Sequence, residues 1–160
     1  MASSNKKMGV SAILKIVAAV VGLVGLVIML YVNSLGSDYE FSSSGLLITG
    51  SVCGIVLAVL SAVTPLMNFD KHGWIGEICA AGSAFLLCYT AVQAVSGRII
   101  LISGLYSWNS SNEIGWTVFY YTIAVVACLA VAALIEVVAT FLAPAKETAD
   151  ADAAAAVEAA

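Results

Sequence analysis

Charge is scarce in this chain. Only 10% of its 160 residues are Asp, Glu, Lys or Arg, where soluble domains carry about 25%. Histidine occurs once, as His72, which excludes bis-histidine haem ligation within one chain and any multi-histidine metal site. The four cysteines, Cys53, Cys79, Cys88 and Cys128, form no CxxC pair, and each falls inside an apolar stretch. A disulfide framework or a quinone-linked dithiol needs exposed or adjacent thiols, so these read as small core-filling hydrophobes. No glycine-rich loop precedes a helix in the manner of a phosphate cradle. Nor does any Ser/His/Asp set have a plausible common depth. The net charge of −4 leaves no basic face for nucleic acid. The reading is therefore of a protein without enzymatic activity and without a cofactor or metal.

What the chain has instead is apolar length. It is 62% hydrophobic, with a mean hydropathy of +1.05. A water-soluble fold of this size could not hide so much apolar surface, whereas a bilayer solvates it. Four apolar runs, at about 10–32, 45–67, 74–95 and 116–142, each reach the length of about 20 residues needed to cross hydrocarbon. The first follows Lys6 and Lys7 and so resembles a signal segment. It exceeds the 7–15 residues of a typical apolar signal core and is read as a retained helix. The expected fold is an all-α integral membrane protein, a four-helix transmembrane bundle over residues 10–143. A short polar start, 1–9, precedes it and a mobile acidic Ala-rich tail, 144–160, follows Pro144. The stretch 99–106 is apolar but too short to span. Helix extension, interfacial segment and strand all remain open for it.

Four crossings put both termini on one side. Lys6, Lys7, Lys15, Lys71 and Lys146 then share that side with His72, while Arg98 lies opposite with Asp38, Glu40 and Glu113. Basic flanks stay cytoplasmic, so the expected topology is N-in/C-in in the cell membrane, with residues 1–9 cytoplasmic. Tyr31, Tyr106, Trp108 and Trp116 would form an outer aromatic belt and Trp74 an inner anchor. Arg98 reads as an interfacial anchor that reaches headgroups or outer acids. Asn109-Ser110-Ser111 matches a glycosylation acceptor pattern in the same outer loop, a short and common one.

Residues three and four apart share a helix face. On that spacing Lys15, Ala18, Ala19, Gly22 and Gly25 form one stripe. Gly50, Gly54, Ala58, Ser61 and Ala62 form a second, containing a GxxxG spacing. Glu77, Ala80, Ala81, Ala84, Cys88 and Ala91 form a third. Cys128, Ala132, Ala133, Glu136, Ala139 and Thr140 form the fourth. Helices in lipid associate by close backbone approach, so these stripes are expected to meet at the bundle axis, with Leu23, Leu57, Leu87 and Leu134 turned elsewhere.

Lys15, Glu77 and Glu136 are the clearly ionisable side chains inside the spans. Each lies near the expected cytoplasmic end and on a small-residue stripe. An unpaired charge at a helix centre costs about 2.5–3.5 kcal/mol on insertion scales. Pairing offsets that, so Lys15 is expected beside Glu77, Glu136 or both. The leading functional expectation is a scaffold, accessory subunit or assembly factor. It would act through helix faces and through outer segments 39–41 and 99–108, with the lipid bilayer and other membrane subunits or further copies as partners. The alternative is a small oligomeric carrier or channel coupling protons or cations through Glu136 and Glu77.

Overall fold

A computed structural model describes residues 9–41, 43–64 and 74–142. The expectations for the polar start, the loop carrying Asp70, Lys71 and His72, and the acidic tail lie outside those residues. Five helices run in the order α1 (Val10–Ser34), α2 (Ser44–Val63), α3 (Trp74–Ser96), α4 (Ile99–Ser107) and α5 (Glu113–Phe141), with a 3₁₀ turn, Ser37–Tyr39, between the first two. Among the described residues there is no strand.

Among the described residues four helical segments are long and apolar enough to cross a membrane: α1, α2, α5 and the 34-residue stretch Trp74–Ser107 that contains α3 and α4. At 1.5 Å per residue, the 20 residues of α2 reach about 30 Å, the thickness of a hydrocarbon core. Local sequence sets the breaks. Gly36 adopts φ +147°, which its missing Cβ permits, and its carbonyl accepts from Tyr39 N–H at 3.0 Å. α2 stops at Val63, and Thr64 beyond it keeps helical dihedrals, φ −50° and ψ −42°, with its N–H on Leu60 O at 2.9 Å. Gly97-Arg98 interrupts the third segment and α4 resumes from Arg98, so the ambiguous stretch 99–106 is helical.

α5 starts at Glu113 rather than at 116. Asn112 is the reason: its Oδ1 accepts from Gly115 N–H at 2.9 Å, closing one of the free donors of the first turn. Glu113 in that turn suits the positive end of the helix dipole.

The four long helices close a ring in which α1 packs on α2 and α5, and α3 packs on α2 and α5. Neighbours run antiparallel. At one end Ser11 of α1 bonds Ala139 of α5, and Gly76 of α3 lies against Thr64 just beyond α2. Glycines set the spacing. A methyl group on Gly22 would sit 3.2 Å from Ile55 and 3.7 Å from Leu87; on Gly25, 3.1 Å from Cys128; on Gly50, 2.8 Å from Thr90 Oγ1; on Gly54, 3.0 Å from Leu87 Cγ and Cδ2. Ala132 and Ala133 are buried on α5.

α3 departs from the expected stripe. Its buried positions are Gly76, Ala80, Ser83, Leu87, Thr90, Ala91 and Ala94, whereas Glu77, Ala81 and Cys88 are exposed and Ala84 is half-buried. Leu87, expected outward, has no exposed surface. The packing explains the rotation. The hollow between Gly22 and Gly54 would stay empty against a fourth small face, and voids forfeit dispersion contacts; Leu87 fills it. The cysteine expectation also fails in part: Cys53 and Cys88 are exposed and all four thiols are free.

Candidate functional site

Polar side chains gather at the two ends of the bundle. At one end, Lys15 sits five residues into α1 and Glu136 five residues before the end of α5, each about 8 Å deep at 1.5 Å per residue. Lys15 is 5% exposed and Glu136 0%. Ser11 Oγ donates to Ala139 O at 2.8 Å and clamps the two helices together about one turn nearer the end. The Lys15 ammonium donates to Ser61 O at 3.4 Å. That carbonyl is free for a reason visible in the sequence: its helical partner would be the N–H of residue 65, and proline has none. Thr64 Oγ1 donates to the same carbonyl at 3.3 Å.

Glu136 is less well served. The Lys15 charge is close enough to attract it, but neither carboxylate oxygen accepts a hydrogen bond. A buried unsatisfied polar group is expensive, more so when charged. Glu77, the third member of the expected cluster, lies on the exposed side of α3. The structure therefore brings Lys15 and Glu136 together and leaves Glu77 out. The same rotation that buries Leu87 carries Glu77 outward.

At the other end Arg98 is buried, 3% exposed, rather than snorkelling. Its guanidinium carbon lies 4.0 Å from the Phe41 ring centroid, and Nη2 donates to the Tyr39 carbonyl. Nε has no partner. Phe41 N–H donates to Asn33 Oδ1 at 3.2 Å. Asn112 Nδ2 donates to the Tyr39 hydroxyl at 3.1 Å, tying the connection after α1 to the start of α5. Segment 39–41, expected to be an outward docking surface, is thus partly folded under Arg98, with Phe41 only 3% exposed. The sequence reading missed this role because an aromatic in a short loop carries no periodicity.

Beside it, a cleft of about 230 Å³ is lined by Ser43, Leu47, Gln93, Ser96 and Gly97. The outward aromatics concentrate where α4 meets α5. Tyr106 and Trp116 meet edge to face at 5.1 Å, Trp116 and Phe119 at 5.8 Å, and Trp108 is 78% exposed. Mid-bundle, Ser83 Oγ donates to Gly54 O at 2.8 Å across the α2–α3 seam, while the buried Ser51 hydroxyl lacks a partner. Among the described residues no group of three or more His, Cys, Asp or Glu side chains could hold a metal.

No protein-family model matches the chain, and neither a curated protein nor a solved structure does.

Proposed function

We propose that this is a multi-pass membrane protein without enzymatic activity, a scaffold, accessory subunit or assembly factor that acts through its outer helix faces and the α4–α5 aromatic corner. One observation carries this reading. Three of the buried polar side chains are turned inward onto the chain's own backbone, Lys15 on Ser61, Arg98 on Tyr39 and Ser83 on Gly54. The outward surface is apolar and aromatic, with Ile100 82%, Phe85 69% and Tyr120 65% exposed. In lipid such a face offers van der Waals packing to a neighbouring helix, and its aromatics suit the membrane–water boundary. On this reading the chain lies N-in/C-in in the cell membrane with the Lys15 end cytoplasmic, and its partners are the bilayer and other membrane subunits or further copies.

Native mass spectrometry from membranes tests the proposal. Extra copies or a stoichiometric companion are expected. The free, exposed thiols of Cys53 and Cys88 provide a second readout, because oxidative cross-linking in the membrane captures a neighbour on the α2 or α3 face. A particle that stays monomeric in native membranes, with no cross-link from either thiol, removes the reading.

The unpartnered carboxylate of Glu136 favours a second reading, a small carrier or channel. It predicts cation or proton flux in proteoliposomes that falls in Glu136→Gln. Flux unchanged by that substitution removes it. Glu77, exposed on α3, takes part only if a second copy covers it.

A further inference from the structure

We propose that Glu136, the Ser61 carbonyl and Lys15 form a seat for a monovalent cation, and that the Lys15 ammonium is a tethered occupant which a free cation displaces. The seat goes beyond the scaffold reading, since a scaffold can hold a bound ion. It also does not require transport, so binding rather than flux decides it.

The argument starts from unused valence. An ammonium carries three N–H donors, and Lys15 spends one on a long 3.4 Å contact. Two carboxylate oxygens with no partner lie within range of its charge. The Ser61 carbonyl faces the same region because Pro65 leaves it without a helical donor. Oxygen donors of this kind, carboxylate and backbone carbonyl, suit hard cations. A fixed ion pair would be expected to close into a direct hydrogen bond; this one does not.

The surroundings favour exchange. The other charged groups are few: α2 carries no charged side chain within Ser44–Val63, and Glu77, the charged group of α3, is exposed. Cys79 on α3 and Cys128 on α5 itself are half-buried thiols, and Cys53 on α2 is exposed. Lys15 is therefore the counter-charge of Glu136 among the described residues. It is also near enough to its helix end for its four-carbon stem to carry the ammonium out to the boundary. When a proton or alkali ion occupies Glu136, the ammonium leaves; when the free cation leaves, the ammonium returns. Either way, one positive charge faces one carboxylate.

The full-length protein in lipid nanodiscs tests this, by thermal unfolding in sodium, potassium or choline chloride at equal ionic strength, and across pH in choline. Ligand binding to the folded state raises the unfolding midpoint. Wild type should respond weakly, because Lys15 competes. Lys15→Met should show a severalfold larger rise, and Lys15→Met combined with Glu136→Gln should show none. A rise in sodium or potassium assigns an alkali ion, and a rise confined to the pH series assigns a proton. If Lys15→Met does not fold, wild type still reports: acylation of Lys15 at fixed pH, followed by mass spectrometry, should speed up severalfold in alkali salt over choline. At lower pH in choline, the Lys15 rate should fall less than an exposed lysine's, and less than in Glu136→Gln. A midpoint independent of cation and pH in folded Lys15→Met, or Lys15 acylation insensitive to both where that variant fails, overturns the proposal. The pair is then a fixed one bridged by buried water.

Discussion

The two ends of the bundle solve the same problem in different ways. Among the described residues each buries one cation, and each cation bonds a main-chain carbonyl: Lys15 to Ser61 and Arg98 to Tyr39. Among the described residues no acid pairs with Arg98. It lies over the Phe41 ring, and the connection that supplies both the ring and the carbonyl is itself fastened to Asn33 and Asn112. A planar guanidinium suits that environment, because it stacks on aromatics and is weakly hydrated. Among the described residues no ring lies beneath Lys15. Its balance comes from Glu136, which accepts no hydrogen bond. One end is fixed by complementary geometry; the other is balanced in charge but short of bonds. The difference separates a structural rivet from a place where something can exchange.

Removing the cation at each end breaks the comparison most directly. Lys15→Met leaves Glu136 buried without its counter-charge, and breaking one side of a buried pair costs about 3–5 kcal/mol. Unfolding in detergent with choline as the cation should show that loss, and adding Glu136→Gln should restore most of it. A double variant no better than the single one would mean that the two charges are not coupled.

Arg98→Met should cost slightly less, about 2–4 kcal/mol. It removes one charge-assisted hydrogen bond and a desolvated cation–π contact worth about 2 kcal/mol, but strands no opposite charge. No carboxylate substitution at Asp38, Glu40 or Glu113 should rescue it. Rescue by any of them would show that an outer acid holds Arg98, and the contrast between the ends would vanish.

The sequence carried much of this and missed the rest for identifiable reasons. Apolar run length is a direct consequence of span thickness, so the four long helices were legible. The small faces of α1, α2 and α5 were legible from spacing, and Lys15 and Glu136 followed from lying on them. α3 was read wrongly because alanine is abundant on both of its sides. Which side faces inward is decided by the hollow that Gly22 and Gly54 open for Leu87, a relation among three helices. The Arg98 end was illegible for another reason. Phe41 and Tyr39 act through contacts with residues far along the chain, and single loop aromatics have no period to detect. The freed Ser61 carbonyl could be foreseen from Pro65, but not that Lys15 would take it.

Between the ends, the α2–α3 seam offers a smaller perturbation. Gly54→Ala would put a methyl group 3.0 Å from Leu87, inside contact distance, and overpacking costs about 1–3 kcal/mol. Combining it with Leu87→Ala should cost less than the two single losses added together, because the hollow and the side chain that fills it are one feature. The two ends should then respond alike, since both hang on this seam. A loss confined to one end, read by site-specific hydrogen exchange, would show that they unfold separately.

The smallest expected effect tests how the Arg98 end is fastened. Asn112 does two jobs: its Oδ1 caps α5 at Gly115, and its amide meets the Tyr39 hydroxyl, with Nδ2 placed to donate at 3.1 Å and Oδ1 to accept at 3.3 Å. Asn112→Ala removes both, and loss of a cap costs about 0.5–2 kcal/mol. Asn112→Asp keeps the cap acceptor, which also accepts from the Tyr39 hydroxyl, and loses only the amide donor. Tyr39→Phe removes the tyrosine's side of the same bond and leaves the cap intact. If the end is fastened through this contact, the losses in Asn112→Ala and Tyr39→Phe should not add, because both delete it, and Asn112→Asp should cost less than Asn112→Ala. Additive losses would mean that Tyr39 is held by its carbonyl on Arg98 alone. The rivet would then consist of the guanidinium and the Phe41 ring, and the start of α5 would be independent of it.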